Sequence, residues 1–341
     1  MRAGSTKPDI LREDDVKLRT TLLAAACLAL AGSAIAQEKY PSKAVKIIVP
    51  YAPGGATDIT SRIYGEQLKN ILGQQFVVES KPGAFGIVAI EEMARSKPDG
   101  YTLMIGNVST NAITPVLFKG KFKINFEQDV VSVSRMAIYP SFLVTTTHNF
   151  NVKSVAELVA YAKQNLGKVR YTSAGVGSFP HFDTEIFGRR ASIDIVHIPN
   201  KSGAAGMIND LVVGDVHFAF LNVASGAGMI KAGKLRPIAL LAEKRLADYP
   251  DIPTLAEAGF PGVGTLHWQS MLAPAKTPKA ALETLQKAIV EATKAPALQQ
   301  AFQKQLVSVS PHASLDESQT WLKGQLDSWR KITSEVKIEL N

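Results

Sequence analysis

The segment Val45–Asp58 constrains the fold most strongly, because it has the pattern of a buried strand, a glycine-rich turn and the start of a helix. Ile47–Val49 is a β-branched run bounded by turn residues, which predicts a strand. Apolar residues then recur at helical spacing as far as Leu72, and Gly73 is placed to end that helix as a C-cap. A strand that turns directly into a helix is the building unit of α/β folds.

The turn between this strand and this helix has the chemistry of an anion site. Gly54 and Gly55 carry no Cβ, so their backbone can approach a ligand closely. The N-terminus of the helix that follows offers free N–H groups and a partial positive charge. Similar turns also occur in α/β proteins where they bind nothing, so this turn by itself leaves a purely structural role open.

Strands and helices alternate along the rest of the chain. The hydrophobic pattern predicts strands at Val45–Val49, Gln75–Glu79, Tyr101–Gly106, Phe142–Thr146, Val169–Tyr171, Asp194–Ile198, His217–Leu221 and Leu235–Ala242. Ser154 and Glu157 have the spacing of a capping box and predict the start of a helix at Val155–Gln164. Two long helical stretches, Thr277–Leu306 and Leu315–Leu340, close the chain. The alternation favours an α/β fold in which helices cover both faces of parallel sheets.

A second glycine-rich turn follows the predicted strand Val169–Tyr171. It runs from Thr172 to His181, with Ser178 placed as a helix N-cap and Pro180 in the first helical turn. Its glycines and hydroxyl groups give a second donor-rich corner at a helix N-terminus. Ligands of open parallel sheets bind beyond the carboxyl ends of the strands, so two such corners in two domains are expected to face each other across a cleft. Two unrelated structural turns remain the alternative.

Composition and motifs argue against several classes of function. Lys and Arg total 38 against 30 Asp and Glu, without a dense basic block, so nucleic-acid binding is not indicated. The six histidines lack metal-binding spacing, and neither a Gly-x-Ser-x-Gly nucleophile motif nor a phosphate-binding loop occurs. The glycines around Gly177 miss the last glycine of a dinucleotide fingerprint, where Pro180 stands. We therefore expect no enzyme, no catalytic residue, no metal and no cofactor.

The N-terminal segment has the pattern of an export signal. Basic residues precede the uncharged run Thr20–Ala36, which ends in the small-x-small sequence Ala34-Ile35-Ala36. Residues 1–36 are thus predicted to be an extension plus a signal peptide cleaved after Ala36, giving a periplasmic mature protein. Cys27 is the only cysteine and lies inside this run, so the mature chain has no disulfide. A lipid anchor at Cys27 is the alternative.

Several short segments, taken in order, resemble one known family. They are Tyr40-Pro41-Ser42-Lys43, Pro50–Asp58, Lys81-Pro82-Gly83-Ala84, Pro98–Leu103, Tyr171–Ser178 with His181, Ala232–Arg236, Ile252–Gly259 and Leu272–Ala275. Each segment is weak alone, but their order and spacing together are specific. From about Tyr40 to Lys337 the chain resembles the Bug-type extracytoplasmic solute receptors, the binding proteins of tripartite tricarboxylate transporter systems.

The resemblance implies a type II periplasmic-binding-protein fold, in which two α/β lobes enclose a ligand cleft and are joined by crossing hinge strands. The crossings would fall near Phe142–Thr146 and Trp268–Ala273, with residues 40–143 and 268–341 in domain 1 and residues 144–267 in domain 2. Members of this family bind small organic anions and deliver them to membrane permease subunits. A monomer that closes on a small carboxylate is therefore expected. A ligand-occupancy sensor partner in periplasmic signalling is the alternative function.

The resemblance also assigns ligand-binding residues to the two corners. In the first lobe they are Ala52, Gly54, Gly55, Ala56, Thr57, Asp58, Ser109 and Thr110. In the second lobe they are Ser173, Ala174, Gly175, Gly177, Ser178, His181 and Asn222. Asp58 and His181 have an alternative role, in which each side chain bonds within its own turn or helix. Ser109 and Thr110 are equally well explained as ordinary helix caps.

Two positions depart from the family pattern in a way that bears on the ligand. Phe85 stands where the family favours glycine, and Leu221 stands where it usually has an aspartate before the asparagine. Both residues are expected to border the cleft and to add apolar surface to it. We therefore predict a pocket that tolerates an apolar or aromatic carboxylate rather than citrate.

Overall fold

A computed structural model describes residues 40–200, 202–336 and 338. The predicted signal peptide, its cleavage site and Cys27 lie outside the described residues. The features below belong to the compact unit that begins at Pro41. Within the described ranges, no helix combines the length and the hydrophobicity that a bilayer crossing requires.

Two sheets organise the described residues, and the chain supplies their strands in order. The strands are β1 (Val45–Val49), β2 (Phe76–Ser80), β3 (Thr102–Asn107), β4 (Val130–Tyr139), β5 (Ser141–Thr146), β6 (Val169–Ser173), β7 (Ile195–Pro199), β8 (Phe218–Asn222), β9 (Leu235–Leu241), β10 (His267–Pro274) and β11 (Ser308–Val309). The first sheet has the order β11-β4-β10-β3-β1-β2, and the second has the order β7-β6-β8-β5-β9. Each sheet has a parallel core, β2-β1-β3 or β7-β6-β8, extended by antiparallel strands.

Helices connect these strands. They are α1 (Ala56–Leu72), α2 (Ile87–Arg95), α3 (Thr114–Leu117), α4 (Phe126–Asp129), α5 (Val155–Gln164), α6 (Phe179–Ala191), α7 (Gly203–Val213), α8 (Val223–Lys231), α9 (Lys279–Ala292), α10 (Pro296–Gln303) and α11 (Leu315–Glu335). A π-helical turn, Ser109–Ile113, leads from β3 into α3. The predicted cap of α5 is present, because the Ser154 side chain accepts a hydrogen bond from the Glu157 N–H.

The chain passes from one sheet to the other at two points. Only Pro140 separates β4 in the first sheet from β5 in the second, and the chain returns to the first sheet at His267. The expected two-lobed α/β fold is therefore confirmed. The crossings lie just outside the expected segments, since Phe142–Thr146 belongs wholly to the second sheet and Trp268–Ala273 to the first. The exact domain limits stay a prediction.

Two further differences from the sequence expectations have simple physical causes. The stretch Thr277–Leu306 forms α9 and α10 rather than one helix, because Pro296 lacks the N–H that a continuous helix needs. The strand β4 was not expected, since its buried side chains include serines. Ser132 is paired with Ser318 of α11 at 2.7 Å between hydroxyl oxygens, so the buried polar group is satisfied.

The two lobes share part of one hydrophobic core. Phe179 and Phe182 of α6 follow the second-sheet strand β6, yet they pack in the same cluster as Ile48, Met104 and Trp268 of the first lobe. The ring of Phe182 meets that of Trp329 on α11 edge to face, with 5.2 Å between centroids. The N-terminus of α6 is thereby held against the first lobe.

Candidate ligand-binding site

The first corner is the glycine-rich turn between β1 and α1, and there Asp58 fixes the conformation of its own turn. Its Oδ2 accepts hydrogen bonds from the Gly54 N–H at 2.9 Å and from Arg62 Nε at 3.0 Å, and its Oδ1 accepts one from Arg62 Nη2 at 2.9 Å. Burial acts to raise the pKa of Asp58, but the bonds from Arg62 and Gly54 outweigh it and lower that pKa below its usual value. Both carboxylate oxygens are occupied within the turn, which is the alternative role that the sequence left open.

The backbone of the same corner offers donors. The first bonded amide of α1 is that of Ile59, which donates to the Gly55 carbonyl at 3.0 Å. The N–H groups of Ala56, Thr57 and Asp58 therefore have no hydrogen-bond partner among the described residues, and no side chain caps the helix. Three free donors at the positive end of a 17-residue helix form a suitable anion site.

The loop after β3 carries the other first-lobe candidates. The Thr110 hydroxyl is buried, accepts from the Asn107 N–H at 3.1 Å and donates to Asn111 Oδ1 at 3.0 Å. Thr110 therefore serves its own loop. Asn107 Oδ1 accepts from the Tyr51 hydroxyl at 2.7 Å and from the Ser109 N–H at 2.9 Å, which ties this loop to the turn after β1.

Ser109 reaches the second corner. Its Oγ accepts a hydrogen bond of 3.1 Å from the N–H of Phe179, the first residue of α6. The two corners approach closely nearby, since a Cβ built on Gly177 would lie 3.1 Å from Leu117 Cδ1 of the first lobe. The structure thus brings Ser109 together with the second-lobe turn, while its role as a ligand-binding residue stays a prediction.

The hydroxyl groups of the second corner face their own backbone. Ser173 Oγ donates to the Gly175 carbonyl at 3.0 Å, and Ser178 Oγ donates to the same oxygen at 2.7 Å. The Gly177 N–H donates to His181 Nδ1 at 3.1 Å. These three side chains hold the turn in shape. The N–H groups of Gly175 and Val176, by contrast, have no partner within the described part of the chain, so they are free to donate to an anion.

A pair of stacked histidines lies behind this turn. The rings of His181 and His197 are 3.8 Å apart between centroids, and His197 Nε2 is 2.7 Å from Ser173 Oγ. Burial lowers the pKa of His181 to about 3 and that of His197 to about 4, so both rings are neutral at neutral pH. Because Nδ1 of His181 accepts a bond, its proton is on Nε2, which has no partner among the described residues.

Asn222 ends β8 beside the first crossing. Its Oδ1 accepts a hydrogen bond from Ser141 Oγ at 3.0 Å, which leaves its amide group to donate elsewhere. Leu221, its neighbour, packs in the second-lobe core with Phe142, Val144 and Leu240. Leu221 is 2% exposed and adds no apolar surface to a cleft, so that part of the expectation was wrong.

Phe85 keeps the apolar character that the sequence suggested. It is 48% exposed, and its ring stacks on that of Phe118 with 4.7 Å between centroids. Phe118 in turn lies 3.7 Å from the position that a Cβ on Gly177 would occupy. An aromatic pair of the first lobe therefore borders the second corner.

Three hinge side chains that no motif indicated connect the two helix N-termini. Tyr139 ends β4, and its hydroxyl donates to the Ala56 carbonyl at 3.3 Å and also contacts Thr60 Oγ1. Gln269 Nε2 donates to Thr57 Oγ1 at 3.4 Å. His267 stacks on Phe179 with 4.4 Å between centroids and lies 5.4 Å from the Tyr139 ring. Only their positions at the predicted crossings could have drawn attention to them.

The described residues give no sign of metal chemistry. Within these residues, no group of three or more His, Cys, Asp or Glu side chains is arranged to hold a metal ion. The donors of the site are backbone amides at two helix N-termini, and the charged pair Asp58 and Arg62 is closed within its own turn. Such a set of donors stabilises an anion without a full positive charge of its own.

Curated proteins resemble the chain over nearly its whole length. Protein BugT of Bordetella pertussis is 30% identical over 316 residues, which are 92% of this chain and 96% of BugT. A protein encoded in the tcbD-tcbE intergenic region of Pseudomonas sp. strain P51 is 30% identical over 327 residues, 95% of this chain and 96% of that protein.

Solved structures share the fold. A protein described as a periplasmic transporter has a TM-score of 0.81 at 35% identity, covering 89% of this chain and all of that one. An R. palustris protein solved with adipate has a TM-score of 0.81 at 28% identity, covering 88% of this chain and 99% of that one. MatC of Rhodopseudomonas palustris, with bound malate, has a TM-score of 0.78 at 25% identity, covering 86% and 99%.

The family assignment rests on most of the chain, including the second corner and the hinge strands. Residues 60–338 match the family described as the tripartite tricarboxylate transporter family receptor. The fold is accordingly that of a periplasmic solute-binding protein with two lobes. The resemblance inferred from the motif order is confirmed, and the chain belongs to the receptors of tripartite tricarboxylate transporters.

Proposed function

We propose that this protein binds a small organic carboxylate between its two lobes and delivers it to the membrane permease subunits of a tripartite transporter. One observation carries the proposal. Two turns from different lobes each present backbone N–H groups that are without partners in the described chain, and these turns are joined through Ser109 and the hinge side chains. A carboxylate oxygen is the acceptor that such donors favour most.

The ligand is proposed to be a dicarboxylate or an aromatic carboxylate. Adipate and malate are the molecules named in the two solved relatives, and both carry two carboxylates. With one amide cluster in each lobe, each carboxylate of such a molecule can bind one corner. The pair Phe85 and Phe118 favours an apolar or aromatic middle over the polar centre of citrate.

An enzymatic role is not favoured, although a serine and a histidine lie in contact. Ser173 and His197 resemble a nucleophile with its base, but the Ser173 hydroxyl is fully buried and donates to the Gly175 carbonyl. His197 stacks on Tyr171 and His181 and has no carboxylate to orient it among the described contacts. The pair is better explained as support for the turn.

The cellular context is also part of the proposal. The mature protein begins at Gln37 in the periplasm and acts as a monomer, with a lipid anchor at Cys27 as the alternative. Mass spectrometry of the exported protein distinguishes the two, because a lipidated chain would begin at Cys27. A sensor partner is the alternative function, and ligand-dependent binding to a sensor domain in the absence of any permease would favour it.

A thermal-shift screen of the mature protein tests the proposed function. The screen uses malate, succinate, adipate, citrate and benzoate, with neutral sugars and cationic amines as controls. At one hundred times its Kd, a ligand adds about 2.7 kcal/mol to the free energy of unfolding. We expect a clear rise in Tm with at least one carboxylate. A rise with neutral or cationic compounds only would overturn the proposal.

A further inference from the structure

Leu306 has a backbone conformation that is unusual for its residue type. It lies between α10 and β11, and its φ of 55° is in the left-handed region. Its N–H donates to the Gln303 carbonyl at 3.0 Å, so the chain turns tightly where the helix ends. The helices α1 and α7 end in the same conformation with Gly73 and Gly214, the residue type that suits it. A leucine is sterically disfavoured there, which indicates that its side chain has a role.

The side chain of Leu306 connects the two lobes. The segment that carries it belongs to the first lobe, since β11 pairs with β4 in the first sheet. The side chain nevertheless packs against the core of the second lobe, in the cluster that contains Phe142, Val144 and Leu240. Among the described members of that cluster, Leu306 is the one that the first lobe supplies. The contact therefore depends on how the two lobes are oriented.

A cavity adjoins this contact. It has a volume of about 410 Å³ and lies between residues 246–248 of the second lobe and α10 with residues 306–309 of the first. Well-packed contacts between protein elements leave few voids larger than a water molecule. The two lobes therefore meet here through an apolar side chain beside open space, which gives them room to move against each other.

The cavity and the two ligand corners lie on opposite sides of the crossing strands. In the first sheet, β4 and β10 separate β11 from β3 and β1, which lead into the first-lobe candidates. In the second sheet, β5 separates β9, which precedes residues 246–248, from β8 and β6, and β6 leads into the second corner. The chain crosses between β4 and β5 at Pro140. We expect a rotation about this crossing that separates the corners to bring the cavity walls together.

We propose that Leu306 is a positioning residue that limits how far the two lobes separate, and that the cavity beside it is the space that is lost as the ligand corners open. The inference rests on the proposed function, because it concerns closure on a carboxylate. As the corners separate, the cavity shrinks and Leu306 is pressed against the second-lobe core, which stops the movement. A narrow range of open states raises the fraction of molecules that is competent to bind, and apparent affinity rises with that fraction.

Filling the cavity is the first test on the mature protein. Gln303 is exposed and lines the cavity, so Gln303→Trp adds a large side chain there without changing the core. The ligand-free variant is expected to be more compact in small-angle scattering, and its Kd for adipate or malate to fall about threefold in titration calorimetry. Ala247→Phe fills the same space from the second lobe and should give the same result. Gln300→Trp is the matched control, because Gln300 is exposed on the same helix but lies outside the lining of the cavity.

Removing the side chain of Leu306 is expected to have the opposite effect. Leu306→Gly keeps the loop in shape, because glycine adopts a positive φ without strain. The ligand-free variant should scatter as a more open molecule, and its Kd for the same probe should rise about threefold. Leu306→Met keeps an apolar side chain of similar size and should restore both values to those of the wild type. A merely structural role of Leu306 would lower Tm without changing the scattering or the Kd.

The signs of the two changes decide the outcome. Opposite shifts from filling the cavity and from removing the Leu306 side chain would support the proposal. Shifts of the same sign, or unchanged scattering in variants that unfold cooperatively near the wild-type Tm, would overturn it. The scattering of the ligand-free variants gives this answer even if neither adipate nor malate binds. Failure of every carboxylate to bind the wild type would instead overturn the proposed function.

Discussion

The two helix N-termini that form the candidate site hold aspartates in opposite states. Asp58, in the first turn of α1, is bonded to Arg62 and to the Gly54 N–H, and its pKa is lowered. Asp183, in the second turn of α6, is fully buried, and burial raises its pKa to about 8. The difference shows how each lobe avoids placing an unpaired negative charge beside a site for anions. The first lobe neutralises the charge with an arginine, and the second suppresses it by burial.

The backbone N–H groups without partners also differ between the two helix N-termini. At α1, three successive amides are without partners in the described chain. At α6, Ser109 of the other lobe caps the first amide, Pro180 has none, and the free donors lie before the helix at Gly175 and Val176. We infer that the first corner supplies most of the binding free energy. The second corner then acts mainly in closure.

Filling the first corner tests this inference most strongly. Gly55→Val adds a side chain where the nearest atom to a Cβ is the Ala52 carbonyl oxygen at 3.9 Å, and φ of −80° suits any residue. The variant is expected to fold normally and to lose carboxylate affinity on the order of a hundredfold, because hydrogen bonds from two amides to a charged group are blocked. Titration calorimetry and thermal unfolding measure both quantities.

Gly120→Val is the control for this change. Gly120 is exposed, and no atom lies within 4 Å of the position of its Cβ. Its affinity and Tm should match those of the wild type. If Gly55→Val bound the carboxylate as tightly as this control, the first corner would not be the dominant site.

For Asp183, in the second lobe, we predict a contribution to folding stability that decreases as pH rises. Because its folded pKa is raised to about 8, Asp183 favours the folded state below its unfolded pKa of about 4, and this contribution is lost as pH rises towards 8. Asp183→Asn removes the titration and is expected to raise Tm by about 5 °C at pH 8, with little effect at pH 4. Thermal unfolding between pH 4 and pH 8 measures the difference. A variant less stable than the wild type at pH 8 would contradict the neutral state.

For Asp58, in the first lobe, we predict a contribution to folding stability that decreases as pH falls. Its folded pKa is lowered, so Asp58 stabilises the protein above its unfolded pKa of about 4, and the contribution disappears as pH falls through the folded pKa. Asp58→Asn is therefore expected to lower Tm at pH 7 by a few degrees, about 1 kcal/mol, and to approach the wild type near pH 3. The same unfolding series provides the measurement. A constant difference across this range would show that the charge is not the cause.

The smallest effect is expected at the bond between the lobes. Ser109→Ala removes the acceptor of the Phe179 N–H, which is worth about 1 kcal/mol. The ligand-free protein should shift towards open conformations, and apparent affinity should fall about fivefold or less. Small-angle scattering and titration measure the two changes. Ser109→Thr keeps the hydroxyl and should behave like the wild type; a loss of equal size in both variants would indicate a packing effect instead.

Local patterns predicted the fold and the backbone part of the site well. The strand Val45–Val49, the helix Val155–Gln164 and its cap lie where predicted, because each depends on neighbours along the chain. The glycine-rich turns were likewise recognisable from local sequence as sources of backbone amides without partners. Sequence alone could not show that Ser109 bonds Phe179, since these residues are 70 positions apart.

The hinge was the least predictable part. Tyr139, His267 and Gln269 belong to no motif, and their roles depend on a sheet that brings β4 beside β10. Leu221 misled for the same reason, since alternation along β8 places its side chain in the second-lobe core rather than at the cleft. Tertiary pairing decides which face of a crossing strand meets the ligand, and the pattern of one chain does not contain it.

The edge-to-face contact of Phe182 with Trp329 has a consequence for how solutes enter. Exposing either ring to water costs about 1.5–3 kcal/mol, so we expect a wide separation of the lobes to be rare. We expect the two lobes to separate only slightly instead, so that compact solutes enter quickly and bulky ones slowly. Selection by molecular size would then take place at the entrance of the cleft, before the ligand forms any hydrogen bond.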